Sequence, residues 1–143
     1  MLKIAICDDS RTDIEMLESA FDKLCQYPIE YDVYFSGEEL LTYCTLHDET
    51  YHLYIFDIEM PQLNGLELAK KIREKDAKAL FVFLTSYTKY VMDVFAVITF
   101  DYISKPRTAE KLESVLVKAM QYRKLIKQDF GLMSILKTQK VKL

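Results

Sequence analysis

Five apolar runs alternate along the chain with segments of helical periodicity, and this alternation restricts the possible fold more than any other feature. The runs are LKIAIC (2–7), EYDVYF (30–35), HLYIF (52–56), ALFVFL (79–84) and FDYIS (100–104). They are continuous apolar stretches, as is typical of parallel strands that are buried on both faces. Strands that alternate with helices form a parallel sheet covered by helices on both sides. We therefore predict an α/β fold.

The segments between these runs have the spacing of amphipathic helices. In the first segment, Ile14, Leu17, Phe21 and Leu24 recur at intervals of three or four residues, which places them on one helical face. Similar patterns predict further helices over 37–48, from about 65, over 86–97 and from about 112. Right-handed crossovers then favour a flavodoxin-like doubly wound (βα)5 sandwich, a five-stranded parallel sheet in the order 2-1-3-4-5.

Size and composition fit one folded domain with a short appendage. The chain has 143 residues, of which 50% are hydrophobic and 29% are charged, as in ordinary globular proteins. No apolar run approaches the ~20 residues that span a bilayer, and the N-terminus does not resemble a signal peptide. Cys7, Cys25 and Cys44 share no CxxC spacing, which favours reduced thiols over a disulfide or zinc site. We expect a cytoplasmic protein with no membrane partner.

Three carboxylates follow the first and third runs. Asp8 and Asp9 end the first run and Asp57 ends the third, and the carboxyl ends of these two strands flank the switch point where ligands bind. Two unit charges ~5 Å apart repel by roughly 3 kcal/mol at an effective dielectric of 20, so a cation is expected among them. Hard oxygen ligands open to water suit Mg²⁺. Capping of the next helix would explain one acid, or Ser10, but not all three acids.

The fourth and fifth runs bring complementary groups to the same edge of the sheet. Thr85 and Ser86 follow the fourth run, and Lys105 with Pro106 follows the fifth. A hydroxyl and an ammonium group beside a metal are what an anionic, phosphoryl-like ligand requires. The sequence therefore predicts a site that combines a metal with a phosphoryl group.

Four segments together resemble the receiver domain of two-component response regulators. CDDS (7–10), FDIEMPQLNG (56–65), LTS (84–86) and YISKP (102–106) stand in the family's order and at its intervals. The resemblance covers about residues 1–122, and four motifs in register are far more specific than any one alone. It implies a regulatory phosphoacceptor that is phosphorylated by a sensor histidine kinase and is not an enzyme acting on a separate substrate.

The resemblance also implies roles for individual residues. Asp57 would be the phosphoacceptor. Asp9, Asp57 and the backbone carbonyl of Glu59 would ligate Mg²⁺ directly, whereas Asp8 would act through water. Lys105 would pair with the phosphoryl group, with the metal offsetting its charge.

A second set of implied roles concerns switching. Thr85 would hydrogen-bond to the phosphoryl group and move towards it, with the hydroxyl of Ser86 beside it, and Tyr102 would turn inward as the switch aromatic. Tyr87 lies where the family tunes the lifetime of the phosphoryl group, and a bulky side chain there would slow attack by water. A cis peptide is expected before Pro106, and MPQLNG (60–65) is interpreted as an Asn-Gly turn that lets the chain clear the site before the next helix.

The remaining sequence bears on how the protein would pass on a signal to a partner or to a further domain. Nine of the eleven residues in 90–100 are apolar, which indicates either core or an association face, and we expect a homodimer through the fourth-helix and fifth-strand face. Residues 85–106 look most like receivers of LytTR-type transcriptional regulators. Residues 123–143 form a basic linker or the start of a missing C-terminal output domain. DNA would be bound only through that missing domain.

Two other readings stay open. A haloacid-dehalogenase-like phosphatase also phosphorylates an aspartate beside Mg²⁺, but it requires a second Asp where this chain has Glu59. The chain could also be a stand-alone or degenerate receiver that acts as a protein-binding module. Degenerate receivers usually lose an acid or the lysine, and this sequence retains all of them.

Overall fold

The computed structural model describes residues 1–86, 99–105 and 108–124. The chain divides into two compact units, Met1–Glu113 and Ser114–Leu143. The second unit is described only over residues 114–124, which are helical.

The first unit contains a five-stranded parallel sheet in the order β2-β1-β3-β4-β5. Both the predicted class and the predicted strand order are confirmed. The elements are β1 (Leu2–Cys7), α1 (Arg11–Asp22), β2 (Ile29–Tyr34), α2 (Gly37–His47), β3 (Leu53–Asp57), α3 (Gly65–Lys75), β4 (Leu80–Thr85) and β5 (Asp101–Ser104). A further helix covers residues 108–124.

Four of the strands begin one residue away from their predicted starts. β1 matches its prediction, β2 starts one residue earlier than expected, and the other three start one residue later. β3 and β4 also end one residue later than predicted, so that Asp57 and Thr85 are their last residues and pair with Leu84 and Ser104. Both side chains are therefore held by regular strand backbone.

The central strands are buried, as expected for a sheet that is covered on both faces. Every residue of β3 is buried, and all but one in each of β1 and β4. The edge strand β2 differs, because Glu30 and Asp32 point to solvent in alternation with half-buried residues. The predicted stripe of α1 is also buried, at Ile14, Leu17 and Phe21.

Several predictions concern residues that lie wholly or largely outside the described ranges. These are the helix over 86–97, the contribution of Tyr87, the association face that includes residues 90–100, the cis peptide before Pro106, and the basic segment over 123–143. Within the described residues, no helix is long and apolar enough to cross a membrane.

Candidate functional site

The strand register brings the three predicted acids together. Cys7 of β1 pairs with Phe56 of β3. The residues that follow these two, Asp8 and Asp57, therefore lie at the same level of the sheet. One carboxylate oxygen from each of Asp8, Asp9 and Asp57 lies within 4.8 Å of the others. Asp8 and Asp57 are buried, whereas Asp9 is exposed. The cluster therefore consists of two buried acids and one acid that faces solvent.

The turn between β1 and α1 leaves these acids available for the site. The backbone N–H of Asp8 donates to the carbonyl of Tyr34 at 3.1 Å, and its side chain accepts from the N–H of Ser10 at 3.0 Å. The N-cap of α1 is Ser10, whose hydroxyl accepts from the N–H of Asp13. Since the hydroxyl supplies the cap, neither Asp8 nor Asp9 is needed for it.

The segment after β3 folds back tightly onto the acceptor strand. The left-handed residue in this turn is Gln62, with φ 67°, while Asn64 is the N-cap of α3 and Gly65 its first residue. The predicted helix start near residue 65 is confirmed, and the Asn-Gly pair belongs to that start and not to the turn before it. A Cβ on Gly65 would overlap the carbonyl oxygen of Asp57 and lie 3.0 Å from its carbonyl carbon. The glycine is required by this close approach.

Lys105 reaches into the acidic cluster from the end of β5. Its Nζ lies 3.2 Å from Oδ1 of Asp57 and 3.3 Å from Oδ2 of Asp8. It lies closer still, at 2.6 Å, to Oδ2 of Asp13 in the first turn of α1. The predicted lysine is thus in place, and a fourth acid accompanies it.

Burial and mutual repulsion set the protonation of the site. Burial raises the pKa of Asp57 to about 6, helped by the charge of Asp8 and opposed by Lys105. Burial likewise raises the pKa of Asp8. For Lys105, burial lowers the pKa, but the hydrogen bond to Asp13 and the charges of Asp8 and Asp57 outweigh it and leave that pKa raised. The lysine is therefore a permanent cation beside carboxylates that ionise reluctantly.

The acidic cluster fits a hard divalent cation. Its donors are carboxylate oxygens at close range, two buried and one solvent-facing, and Mg²⁺ is typically held by one or two carboxylates while it keeps several waters. A cation at this position would favour the ionised form of Asp57, whose pKa is raised first by burial and second by the charge of Asp8.

The other predicted residues differ in burial and in the element that carries them. Thr85 is buried at the end of β4, and Ser86 after it is exposed. Glu59 is exposed in the segment after β3. Tyr102 is half-buried in β5 and packs against the main hydrophobic cluster. The roles assigned to these residues remain predictions.

Asp13 is the site residue that the sequence reasoning missed. Its separation from Lys105 is 92 residues, so no local pattern connects the two. One signal was available, because Ser10-x-x-Asp13 has the form of a helix-capping sequence that places an acid in the first turn. That first turn begins beside Asp8 and Asp9.

The chain is similar to proteins of one family. Residues 4–117 match the model of the response regulator receiver domain. The transcriptional regulatory protein NatR of Bacillus subtilis is 30% identical over 112 residues, which are 78% of this chain and 47% of NatR. The sensory transduction protein LytT of Oceanobacillus iheyensis is 37% identical over 81 residues, covering 54% of this chain and 32% of LytT. The chain spans about half the length of NatR.

Solved structures agree with these sequence matches. The response regulator protein TrrA of Thermotoga maritima, in complex with Mg²⁺-BeF, has a TM-score of 0.68 and 31% identity, covering 83% of this chain and 99% of that chain. The response regulatory domain of mrkE from Klebsiella pneumoniae has a TM-score of 0.74 at 24% identity, covering 85% and 97%. The second likeness concerns the fold alone.

Proposed function

The chain belongs to the response regulator receiver domain family, and from that membership we propose that it accepts a phosphoryl group from a sensor histidine kinase on Asp57. The observation that carries the proposal is the arrangement of charges around this carboxylate. Asp57 lies within 4.8 Å of two further acids and 3.2 Å from the Lys105 ammonium. A buried nucleophile with a cation and a metal-ligating cluster beside it suits phosphoryl transfer.

The proposed step is an in-line transfer. A carboxylate oxygen of Asp57 forms a bond to phosphorus while the P–N bond of the donor phosphohistidine breaks. The electron pair returns to the imidazole nitrogen, which then takes a proton from solvent. Lys105 attracts the oxygens of the transferred group, and the Thr85 hydroxyl donates to one of them.

Mg²⁺ is the metal that we propose for the acidic cluster. Asp9, Asp57 and the carbonyl of Glu59 would hold it, with Asp8 acting through water. When bound, the metal supplies positive charge that offsets the charge on the transferred group. The Mg²⁺-BeF complex of TrrA supports this assignment.

We further propose that phosphorylation controls transcription through an output domain. NatR is named a transcriptional regulatory protein, and only 47% of its length is matched by this chain. LytT among the relatives favours a LytTR-type output. On this proposal residues 1–122 are the receiver and 123–143 lead to a cytoplasmic DNA-binding domain. Thr85 and Tyr102 would transmit the change, and dimers would form through the fourth-helix and fifth-strand face.

The phosphatase reading is not favoured. It requires a second Asp where this chain has Glu59, and the match to the receiver family covers most of the chain. Turnover of a generic phosphate monoester by the purified protein would support a phosphatase. Single labelling of one residue without turnover is expected of a receiver.

The test is phosphorylation by acetyl phosphate in Mg²⁺, followed by intact mass. Wild-type protein should gain one phosphoryl mass, and Asp57→Asn should gain none. The matched control is Asp9→Asn, which keeps the acceptor but removes a proposed metal ligand; it should be labelled slowly and respond weakly to added Mg²⁺. Labelling of Asp57→Asn at the wild-type rate would refute the proposal.

A further inference from the structure

The Lys105 ammonium has a partner that the phosphoacceptor chemistry does not require. Among the residues that the structure describes, its carboxylate neighbours are Asp13 at 2.6 Å, Asp57 at 3.2 Å and Asp8 at 3.3 Å. Asp8 and Asp57 belong to the acidic cluster that fits a metal. Asp13 does not belong to that cluster, yet it makes the shortest contact. The shortest contact of the lysine is therefore with a carboxylate outside the proposed metal ligands.

Asp13 sits on a rigid part of the site. It is the third residue of α1, and its backbone N–H donates to the hydroxyl of the N-cap Ser10 at 3.2 Å. An acid in the first turn of a helix is stabilised by the partial positive charge of the helix N-terminus. Its own helix buries Ile14 and Leu17 against the protein interior. The backbone that carries this carboxylate is thus held by the cap and by the buried face of α1, at the end of a long and flexible lysine.

The geometry of an ammonium group allows Lys105 to contact Asp13 and the acceptor site at the same time. A lysine carries three N–H donors, and here three carboxylates surround them. One donor can stay on Asp13 while another passes from the Asp57 carboxylate to a phosphoryl oxygen bonded to it. The lysine then needs no change of partner at Asp13 when Asp57 is modified.

We propose that Asp13 is a positioning residue, which holds the Lys105 ammonium over Asp57 so that it is already in place for an incoming phosphoryl group. This inference rests on the proposed function of Asp57. The Asp13 side chain is 34% exposed and that of Lys105 18%, and an ion pair that solvent still reaches adds little to overall stability. The contribution of Asp13 is therefore to the orientation of Lys105 and not to the fold.

The experiment is a titration of metal-saturated protein with beryllium fluoride, which binds an aspartate as a phosphoryl mimic, followed by calorimetry. Asp13→Ala should weaken binding by about tenfold, the lower limit of what is lost when a partner that orients a ligand-binding residue is removed. Asp13→Glu should restore a large part of the affinity. The matched control is Glu15→Ala, which removes the same charge from an exposed position on the same helix and should change affinity by less than about twofold.

A double-mutant cycle isolates the route through Lys105. In a Lys105→Met background, Asp13→Ala should have no further effect on beryllium fluoride affinity, because the group that it orients is gone. Equal or tighter binding by Asp13→Ala in the wild-type background would overturn the inference, as would an undiminished effect in the Lys105→Met background. If wild-type protein bound no beryllium fluoride and took no phosphoryl group, the proposed function itself would fail, and the two failures are thereby distinguished.

Discussion

Burial of the ionised Asp57 carboxylate lowers the stability of the unmodified protein. Its folded pKa of about 6 lies above the ordinary value of 3.8, so the folded state binds a proton more tightly than the unfolded state does. This tighter proton binding stabilises the folded state; the stabilisation is fully present below about pH 4 and is lost as pH rises through 6. The shift corresponds to at most about 3 kcal/mol.

We expect metal-free protein to lose about 1–3 kcal/mol of unfolding free energy between pH 4.5 and pH 7.5 from this group. Urea denaturation in the presence of a chelator measures the loss. Asp57→Asn cannot ionise and should show a clearly flatter profile, with some slope left because the pKa of Asp8 is also raised. Identical profiles for the two proteins would show that Asp57 ionises in the folded state as readily as in the unfolded state.

Residue chemistry explains why most of the site could be predicted and one member could not. Asp57 ends a strand, and Asp8, Asp9 and Lys105 come just after strands; strand ends meet at one edge of the sheet in a known order. The position of Asp13 relative to Lys105 depends on how α1 packs and on a lysine rotamer, neither of which is encoded in residue spacing. Long-range side-chain contacts of this kind require coordinates.

At the element scale, two glycines occupy the same helical position with different surroundings. Gly65 and Gly37 are the first residues of α3 and α2. A Cβ on Gly65 would meet backbone of Asp57 and Ile58, whereas one on Gly37 would meet the flexible side chain of Leu63 at 2.9 Å. Backbone cannot yield without moving β3, while a leucine tip can rotate.

Gly65→Ala should therefore destabilise the protein by about 2–3 kcal/mol, towards the upper end for overpacking. It should also slow phosphorylation, because the acceptor backbone must shift. Gly37→Ala should cost less than about 1 kcal/mol and leave phosphorylation unchanged. Chemical denaturation and the acetyl phosphate rate are the two measurements; equal effects from the two alanines on either would contradict this account.

The helix caps offer a second matched pair of elements. Ser10 caps α1 by accepting from Asp13 at 3.2 Å, and Ser36 caps α2 by accepting from Glu39 at 3.1 Å. Replacing either serine with alanine should cost about 1 kcal/mol of unfolding free energy. Only Ser10→Ala should also weaken beryllium fluoride binding, since only that cap fixes the turn that carries Asp13. Equal beryllium fluoride affinity in the two variants would show that the Ser10 cap does not contribute to the site.

Element type and order were predictable, whereas element boundaries were less so. Alternating apolar runs and helical stripes suffice for the order β2-β1-β3-β4-β5, because crossover handedness leaves few alternatives. β3 and β4 end one residue later than predicted because Asp57 and Thr85 keep strand pairing despite being polar. The role of Gly65 was missed for a related reason, since Asn-Gly indicates a turn in isolation and only the fold brings it against Asp57.

For the whole molecule, the proposed switch requires that a local charge change alters association. A two-state element moves from 1:99 to 99:1 only if the modified state is favoured by about 5.5 kcal/mol. A phosphoryl group bonded to Lys105, the Thr85 hydroxyl and a metal is a source of that magnitude, because each charge-assisted hydrogen bond contributes about 1.5–3 kcal/mol. The expected readout is dimerisation, for which the apolar run over 90–100 is the proposed surface.

Sedimentation at increasing protein concentration tests this expectation. Wild-type protein with Mg²⁺ alone should sediment as a monomer, and addition of beryllium fluoride should shift it to a dimer at concentrations where the unliganded form stays monomeric. Asp57→Asn, which lacks the carboxylate that the mimic binds, should remain monomeric in both conditions. The prediction would be wrong if the wild type stayed monomeric at all concentrations while calorimetry showed that beryllium fluoride was bound. Phosphorylation would then not drive self-association. Control of output would then have to pass through contacts within one chain.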